Sequence, residues 1–463
     1  MTLPGKKEYL IPAGLVLAAL LPYLNSFRGD FQFSDYNVIV LNPAIQSWDG
    51  WFNTMRHLGI RPLLKFSYTL NWVSGFGVFG YHLFNIAVHV VNSFLVFFLC
   101  RKLFESCPDV TRHRGPEVPA LLAALIFAVH PIHTEAITYI SGRSSSMMAM
   151  FYLGSLLAYV KGAETGKWTW RFVVSPLCFV AAVATKEVAV TLPFALLLWE
   201  GTVGRRPWKR VLVDQSVHWV TLTALMVIIL NHPRYLELLM FSSELRSAYD
   251  NLLSQIGGIA YLLSRLVLVH RLNIDPDLPV IVRTGFPTIL GLAAFLGLIG
   301  AALWNWRRRP WLTFGVIWFF LILLPSNSVV PRSDIVNERH LYLADFGVFL
   351  IVGTVMAKMQ YHVGAYKKAL TGAVGCTLVV LAFFTVLRNS DYRTPIALWE
   401  STVRNSPHKA RPHNNLGCAY ERAEQWQKAV SEYTQAVRLD PRDEYASHNL
   451  SRWLPERSIT ISQ

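Results

Sequence analysis

Long apolar runs separated by short polar segments constrain the fold of this 463-residue chain more than any other feature. A helix that crosses a bilayer needs about 20 mostly apolar residues, and fewer when amphipathic residues flank it. Such runs recur from the N-terminus to Arg388. The sequence therefore predicts an all-α polytopic membrane bundle of about eleven spans, at residues 9–27, 82–100, 118–132, 144–160, 171–185, 187–201, 216–231, 286–304, 311–330, 340–359 and 369–388.

The charged residues divide the chain into two parts. There are 43 Lys and Arg against 29 Asp and Glu, and 19 of these charged residues lie in the last 75 positions. We therefore predict a transmembrane domain over 1–388 and a small helical tail over 389–463. The positive balance does not indicate binding to nucleic acid, because the basic residues lie at the ends of apolar runs, as membrane topology requires.

The distribution of Lys and Arg also predicts the orientation in the membrane. Cytoplasmic loops are enriched in these residues, and the basic clusters share one side if the N-terminus is cytoplasmic. Residues 251–270 are apolar enough to span, but a crossing there would move the cluster Arg307–Arg309 to the outer side. We therefore predict that 251–270 re-enters or lies along the surface, and that the tail lies on the outer face, periplasmic or lumenal.

The tail contains one tetratricopeptide repeat, a helix–turn–helix of 34 residues, at residues 410–443. At least three repeats are usually needed for a stable array, so we expect this repeat to pack against the membrane domain or against a partner. It is either a docking surface for a protein acceptor or a packing cap. The residues that match the repeat pattern are Leu416, Gly417, Tyr420, Ala429, Tyr433, Ala436 and Pro441.

The first outer loop, residues 28–62, carries a candidate catalytic acid. Asp35 follows the first predicted span at the water boundary, between the aromatic residues Phe33 and Tyr36. A carboxylate placed there can accept a proton from a hydroxyl nucleophile. The alternative is a solvated loop aspartate with no part in chemistry.

Three further polar clusters are predicted on the same outer side. Paired histidines near a carboxylate can bind a metal or relay protons, and a guanidinium can bind phosphate in bidentate fashion. The alternative for each cluster is a helix cap, a snorkelling anchor or a structural ion pair, but convergence on one face favours function. The clusters are His130, His133 and Glu135 with Arg143; Lys186 with Glu187; and Glu338 and Arg339 with Tyr342.

A polar stripe marks one face of the span 82–100. Its members, His82, Asn85, His89 and Asn92, recur at helical spacing. Polar side chains in membrane helices usually bond to neighbouring helices, so we predict that this face points into the bundle.

Short motifs along nearly the whole chain form a specific set. The string His130–Glu135 is the most specific, and the others include Phe33-Ser34-Asp35, Arg61-Pro62-Leu63, Ser141-Gly142-Arg143, Lys186-Glu187 and Glu338-Arg339. Together with the repeat tail, this set resembles the transmembrane and tetratricopeptide repeat-containing proteins and their bacterial relatives. Those proteins belong to the GT-C superfamily of polytopic glycosyltransferases, with the protein O-mannosyltransferases.

The resemblance implies a GT-C fold, a polyprenyl-phosphate sugar donor with mannose as the expected sugar, and a Ser or Thr hydroxyl acceptor on a translocated protein. Asp35 maps to the family's acid in the first outer loop and would act as the base of an inverting displacement. The family usually has two adjacent acids there, whereas this chain has Ser34 before Asp35, so a divalent metal is left open and no cofactor is implied with certainty. By charge and sidedness, Arg143, Lys186 and Arg339 are candidates for binding the donor phosphate. The supporting polar cluster comprises Arg61, His82, His130, His133, Glu135, Glu187, Glu338 and Tyr342.

Three alternatives to a protein glycosyltransferase stay open at this point. A GT-C enzyme can also transfer sugar to a glycan or a lipid. A non-catalytic scaffold could recruit partners through the tail, and Ser34 in place of an acid keeps that alternative in view. A transporter ranks below these, because the polar clusters gather at one face instead of at the midplane. The short tail favours a bacterial member in the inner membrane.

Overall fold

The computed structural model describes residues 6–57, 59–111, 115–362 and 366–453, and within these ranges the chain is helical, without strands. The predicted all-α class is confirmed. Short 3-10 or π turns extend or join the helices, among them Leu21–Arg28 and Glu338–His340. The membrane part contains α1 (Lys6–Leu20), α2 (Trp48–Arg56), α3 (Pro62–Val73), α4 (Gly77–Glu105), α5 (Pro108–Thr111), α6 (Glu117–Val129), α7 (Thr134–Ile137), α8 (Arg143–Thr165), α9 (Ser175–Thr185), α10 (Leu192–Trp199), α11 (Trp208–Asp214), α12 (Ser216–Asn231), α13 (Pro233–Leu245), α14 (Ala248–Arg265), α15 (Phe286–Trp304), α16 (Pro310–Leu323), α17 (Leu341–His362) and α18 (Lys367–Asp391).

Six described helical segments are long and apolar enough to cross a membrane, and two bent pairs raise the number to eight. The chain is therefore a multi-pass membrane protein. The bent pairs are Glu117–Val129 with Pro131–Ile137, and Trp208–Asp214 with Ser216–Asn231. The six segments are Leu10–Arg28, Gly77–Glu105, Glu187–Gly204, Phe286–Trp304, Glu338–Gln360 and Lys368–Asp391.

Each of the eleven predicted spans coincides with a helix or a bent pair, but three do not reach spanning length and hydropathy. Trp170–Thr185 and Pro310–Leu323 are apolar but shorter, and α8 contains a run of buried serines at its start. The number of crossings therefore stays a prediction. The segment predicted to re-enter, 251–270, forms most of α14 and is not among the helices that could span.

The core of the membrane domain lies between α4, α6, α8, α16 and α17. The polar stripe of α4 is fully or almost fully buried, as predicted for a face that points into the bundle. Gly315 of α16 faces Gly347 of α17 so closely that a Cβ on either residue would collide with the backbone of the other. Small residues permit such close helix contacts where lipid gives no hydrophobic drive for association.

The tail is built from α19 (Pro395–Asn405), α20 (Ala410–Arg422), α21 (Trp426–Leu439) and α22 (Glu444–Ser451). The pair α20 and α21 forms the repeat, and Gly417 leaves the space that the ring of Tyr433 fills. The tail also packs on the membrane domain, since the Ser406 hydroxyl donates to the carbonyl of Asp275 at 2.9 Å. Residues 454–463 of the predicted tail lie outside the described ranges.

Candidate active site

Asp35 lies at the start of a short π-helical turn, Tyr36–Val40, and its side chain is fully buried. One carboxylate oxygen, Oδ2, accepts a hydrogen bond from the backbone N–H of Gln32 at 2.9 Å. The other, Oδ1, accepts from the backbone N–H of Ser141 at 2.8 Å and from the hydroxyl of the same residue. Burial raises the pKa of Asp35 to about 7, although these hydrogen bonds lower it. The carboxylate is thus poised to exchange a proton near neutral pH.

A cavity of about 210 Å³ adjoins this carboxylate. Ser34 and Ser141, the chain neighbour and the hydrogen-bond partner of Asp35, both line it. The remaining lining residues come from α3, α8 and the loops, and none is an Asp or Glu. They are Val38, Arg61, Leu64, Tyr68, Tyr139, Ser144, Lys186, Arg332, Arg339 and His340.

Four cationic side chains share the wall of this cavity, and two of them have a carboxylate partner. Arg61 binds Glu187 through three hydrogen bonds: Nε donates to Oε1 at 2.9 Å and to Oε2 at 3.1 Å, and Nη2 donates to Oε2 at 2.7 Å. Arg339 binds the fully buried Glu135, with Nη1–Oε1 at 3.3 Å and its backbone N–H donating to Oε2 at 2.9 Å.

The other two cations, Lys186 and Arg332, have no ion-pair partner among the residues that the structure describes. The Lys186 ammonium donates to the Ser145 hydroxyl at 2.9 Å. Burial and the neighbouring Arg61 and Glu187 charges act on Arg332, and the net effect lowers its pKa. A cavity with more cations than carboxylates suits a phosphate group.

Arg143 is not among the residues that line the cavity. Its guanidinium is fully buried and donates to neutral acceptors: the Asn85 side chain at 2.6 Å, the Ser67 carbonyl at 3.1 Å and the Tyr81 carbonyl at 3.0 Å. It also stacks over the ring of Phe84, 4.3 Å from its centroid. The structure therefore brings Lys186 and Arg339 together at the cavity and places Arg143 behind the helices that form its wall.

The predicted histidine pair lies in a separate buried network. The Nε2 atom of His133 is 2.8 Å from Asp345 Oδ2, and His130 Nε2 is 3.1 Å from the carbonyl of Leu266. Tyr342 joins this network from α17, where its hydroxyl lies 2.8 Å from His89 Nδ1. These contacts join α4 and the turn after α6 to α17, and join that turn to the end of α14.

Two further members of the predicted cluster stabilise loops. His82 lies beside Gly29, where a Cβ would come within 3.3 Å of its Nε2 atom. Glu338 accepts a hydrogen bond from the backbone N–H of Asn273 at 2.7 Å.

The donor set does not form a metal centre within the described ranges, where no group of three or more His, Cys, Asp and Glu residues could hold a metal ion. Divalent magnesium, calcium and manganese prefer carboxylate oxygens, and the cavity wall presents hydroxyls and cations instead.

Several residues that line the cavity were not among the site residues predicted from the sequence. Arg332 lies in a loop where no motif marks it. His340 lies between the predicted residues Arg339 and Tyr342 but was given no role, and Tyr139 was not singled out. The Tyr139 hydroxyl accepts a hydrogen bond from the backbone N–H of Ser34 at 3.1 Å. The quoted motif Ser141-Gly142-Arg143 was the signal that could have linked this segment to Asp35.

The tetratricopeptide repeat family model matches residues 410–443, the bounds predicted from the repeat spacing. The chain is also similar to protein O-mannosyl-transferase F38B6.6 of Caenorhabditis elegans, at 27% identity over 92% of this chain and 62% of that protein. Protein O-mannosyl-transferase Tmtc3 of Drosophila melanogaster is 26% identical over 95% of this chain and 56% of its own length. Human protein O-mannosyl-transferase TMTC3 is 24% identical over 96% of this chain and 53% of its own length.

The chain thus spans between 53% and 62% of the length of these relatives. All three are animal proteins, so the bacterial origin that we expected stays a prediction. The alignments cover the membrane domain together with the repeat tail. They confirm the predicted resemblance of this chain to the protein O-mannosyl-transferases that combine transmembrane helices with tetratricopeptide repeats.

Proposed function

We propose that this protein is a membrane glycosyltransferase that moves mannose from a polyprenyl-phosphate donor to a Ser or Thr hydroxyl of a protein acceptor. The observation that carries the proposal is the buried carboxylate of Asp35 beside a cavity whose wall holds Arg61, Lys186, Arg332 and Arg339. A base and a set of phosphate-binding cations are the two components that such a transfer needs. The names of the relatives support the reaction class.

The proposed step is an inverting displacement at the anomeric carbon of the sugar. The acceptor oxygen forms a bond to this carbon, while the bond between the carbon and the donor phosphate oxygen breaks. The lipid phosphate leaves with the electron pair of that bond, and the acceptor proton passes to the enzyme. The phosphate gains negative charge as it leaves, so preorganised cations lower the barrier.

The hydroxyl of Ser141 lies between Asp35 and the cavity, and we propose that it relays the proton. The Asp35 carboxylate has no exposed surface, whereas Ser141 both lines the cavity and donates to Asp35. Ser141 would accept the proton of the acceptor hydroxyl as its own proton moves to Oδ1. Asp35 would then hold the proton as the neutral acid until the product leaves.

We assign the donor phosphate to Lys186, Arg332 and Arg339. Lys186 and Arg332 have no carboxylate partner in the described chain, so their charge is available to a ligand. Arg339 shares its charge with Glu135, which fixes the guanidinium in place. Arg143 takes a positioning role, because it joins α3, α4 and α8 behind the cavity through the contacts described above.

On the predicted orientation, the cavity and the tail face the periplasm or the lumen, and the N-terminus is cytoplasmic. This placement would expose the site to proteins as they emerge from translocation. The tail would hold the acceptor polypeptide near Asp35.

The test is transfer by the purified protein in detergent, with polyprenyl-phosphate mannose as donor and a panel of Ser- and Thr-containing peptides as acceptors. We expect mannose on a peptide with the native protein and none above background with Asp35→Asn. A matched control is Asp30→Asn, since Asp30 lies in the same loop and is partly exposed.

Two results would contradict the proposal. Transfer by Asp35→Asn at the native rate would remove Asp35 from the chemistry. Transfer to a glycan or a lipid, with every peptide inert, would replace the protein acceptor by one of the other GT-C acceptors.

A further inference from the structure

A second cavity, of about 440 Å³, lies at the seam between the membrane domain and the tail. We call it the seam cavity. One wall comes from the C-terminal half of α14 and the loop that follows it, and the other comes from the end of α19. The lining residues that matter here are Tyr261, Arg265, Arg271, Asp277, Arg404 and Asn405.

The seam cavity carries an excess of positive charge. Three of its lining residues are arginines, Arg265, Arg271 and Arg404, whereas Asp277 supplies its carboxylate. None of these three arginines forms an ion pair with another described residue. Arg265 is only 9% exposed, and it stacks over the ring of Tyr261 at 4.6 Å from the centroid. Arg265 is near enough to Glu338 for their charges to interact, but the lining itself still sets three guanidiniums against one carboxylate. An anion bound in the cavity would balance part of that charge.

The seam cavity is close to the proposed catalytic base. Trp399 of α19 packs against Phe33, two residues before Asp35, with ring centroids 5.2 Å apart. Arg404 follows Trp399 by five residues on the same helix, which places it about 7.5 Å further along the axis at 1.5 Å per residue. Followed through these contacts, the path from the cavity to Asp35 is on the order of 20 Å, a length that five or six extended residues can span.

We propose that the seam cavity binds an acidic side chain of the acceptor polypeptide, five or six residues from the hydroxyl that receives the sugar. The inference rests on the proposed function and adds the class of acceptor sequence that the enzyme prefers. Charge complementarity selects the carboxylate, and a guanidinium can bind it through two parallel hydrogen bonds. Because α19 supplies one wall, the cavity is complete only while the tail is docked on the membrane domain.

The test compares matched peptides with the full chain in detergent and polyprenyl-phosphate mannose as donor. Each peptide contains one Thr and either an Asp or an Asn at a single position, which is moved from two to eight residues away on each side. We expect the Asp peptides to have a KM about threefold to tenfold lower than their Asn partners when the spacing is five or six. The preference should shrink as the salt concentration rises, because salt screens the attraction.

Two variants assign the effect to the cavity. Arg404→Gln should reduce the KM difference between the Asp and Asn peptides, and Arg404→Glu should abolish it, because that variant balances the two remaining arginines with two carboxylates. Arg283→Gln is the matched control, because Arg283 lies in the same outer loop but does not line the cavity. We expect it to keep the native preference.

The outcomes separate the two proposals. Equal KM values for Asp and Asn peptides at every spacing, with transfer intact, would overturn the seam-cavity proposal and leave the glycosyltransferase standing. No transfer to any peptide would overturn both. Binding of phosphatidylglycerol that abolishes the Asp preference of the native protein, and that Arg404→Gln weakens, would identify the cavity as a lipid headgroup site and overturn the acceptor assignment.

Discussion

Phe33 packs its ring edge-on against the indole of Trp399, with the two centroids 5.2 Å apart, while its own backbone is left-handed at φ +39°. Such a conformation costs a non-glycine residue roughly 1–3 kcal/mol and persists only where the surroundings enforce it. Next to it, the Gln32 side-chain amide donates to the carbonyl of Tyr392 at 3.0 Å. The tail therefore holds the segment that presents Asp35, two residues beyond Phe33.

Trp399→Ala should lower the rate of transfer at least tenfold and destabilise the protein. Trp399 is only 3% exposed, and truncation of a buried Trp to Ala costs about 3–5 kcal/mol. The loss should appear mainly in kcat, because the substitution releases Phe33 and lets Asp35 move. Steady-state kinetics and thermal unfolding in detergent would measure both effects.

Trp426→Ala is the comparison variant, since Trp426 is 44% exposed on α21 and packs only against Trp453 among the aromatic residues described. It should transfer sugar at the native rate. Equal kcat values for the two variants would show that the contact with Phe33 does not support the active site.

The pH dependence of transfer should report the titration of Asp35. Burial raises the pKa of this carboxyl to about 7, and a base acts only in its ionised form, so kcat/KM should fall below about pH 7. Ser141→Ala removes the proposed relay, so the rate should fall. It also removes a hydrogen bond that favours the ionised form of Asp35, so the fall of the remaining activity toward acid (the acidic limb) should move to higher pH. The pH profiles of the native protein and the variant would show this shift.

Ser144→Ala serves as the control for the pH experiment, because Ser144 lines the same cavity without bonding to Asp35. Ser144→Ala should leave the acidic limb of the pH profile at the same pH as in the native protein. An acidic limb that stays below pH 5 in every variant would mean that Asp35 is not the titrating group.

The ion pair of Glu135 and Arg339 can be tested by a double substitution. Arg339→Gln strands a fully buried carboxylate, and breaking a buried pair from one side costs about 3–5 kcal/mol. The loss of stability should be smaller here, because the Arg339 side chain is 28% exposed and solvent screens its charge. Glu135→Gln with Arg339→Gln removes both charges and should recover most of the lost stability, as measured by thermal unfolding in detergent.

In that double variant, sugar transfer should stay impaired even though the stability is restored. The cavity would still lack one of its cations, so the KM for the polyprenyl-phosphate donor should stay several-fold above the native value. Recovery of the native donor KM would show that Arg339 serves only to neutralise Glu135.

The helices and the repeat were predictable because they depend on local properties of the sequence. The length of an apolar run fixes a spanning helix, and the spacing of Gly417 and Tyr433 fixes a close helix pair. The contact between Asp35 and Ser141 joins residues 106 positions apart. No local pattern encodes that contact, so the sequence did not predict that the two segments meet.

Charge and sidedness selected candidate residues without showing which side chains reach the cavity. Arg143, Lys186 and Arg339 were equivalent on those grounds. The Arg143 guanidinium, however, donates its hydrogen bonds to Asn85, Ser67 and Tyr81, behind the wall of the cavity. Arg332 was missed because an arginine in a loop has many uses that the sequence cannot distinguish. Whether a side chain reaches the cavity depends on how all the helices of the bundle pack together.

Docking of the tail should weaken in acid through Asp275. Its carboxylate binds Lys409 at 2.6 Å and Arg411 through Nε at 2.7 Å, and Arg411 also contacts Asp334. These cations hold the pKa of Asp275 below its usual value, against the effect of burial. A carboxyl whose pKa is lower in the folded than in the unfolded state stabilises the fold at pH values above its unfolded-state pKa of about 4. That stabilisation is lost as the pH falls through the folded-state pKa.

Arg411→Gln removes one of these cations and should raise the pKa of Asp275, so the tail should loosen at a higher pH than in the native protein. Limited proteolysis of residues 392–394, between α18 and α19, would measure the loosening, and we expect cleavage about tenfold faster near pH 5. Arg438→Gln should cleave at the native rate, because Arg438 is exposed on α21 and makes no ion pair in the described chain. Identical cleavage of the two variants across the pH range would mean that the tail is held by apolar contacts such as that of Trp399, and that Asp275 contributes no measurable part of the docking free energy.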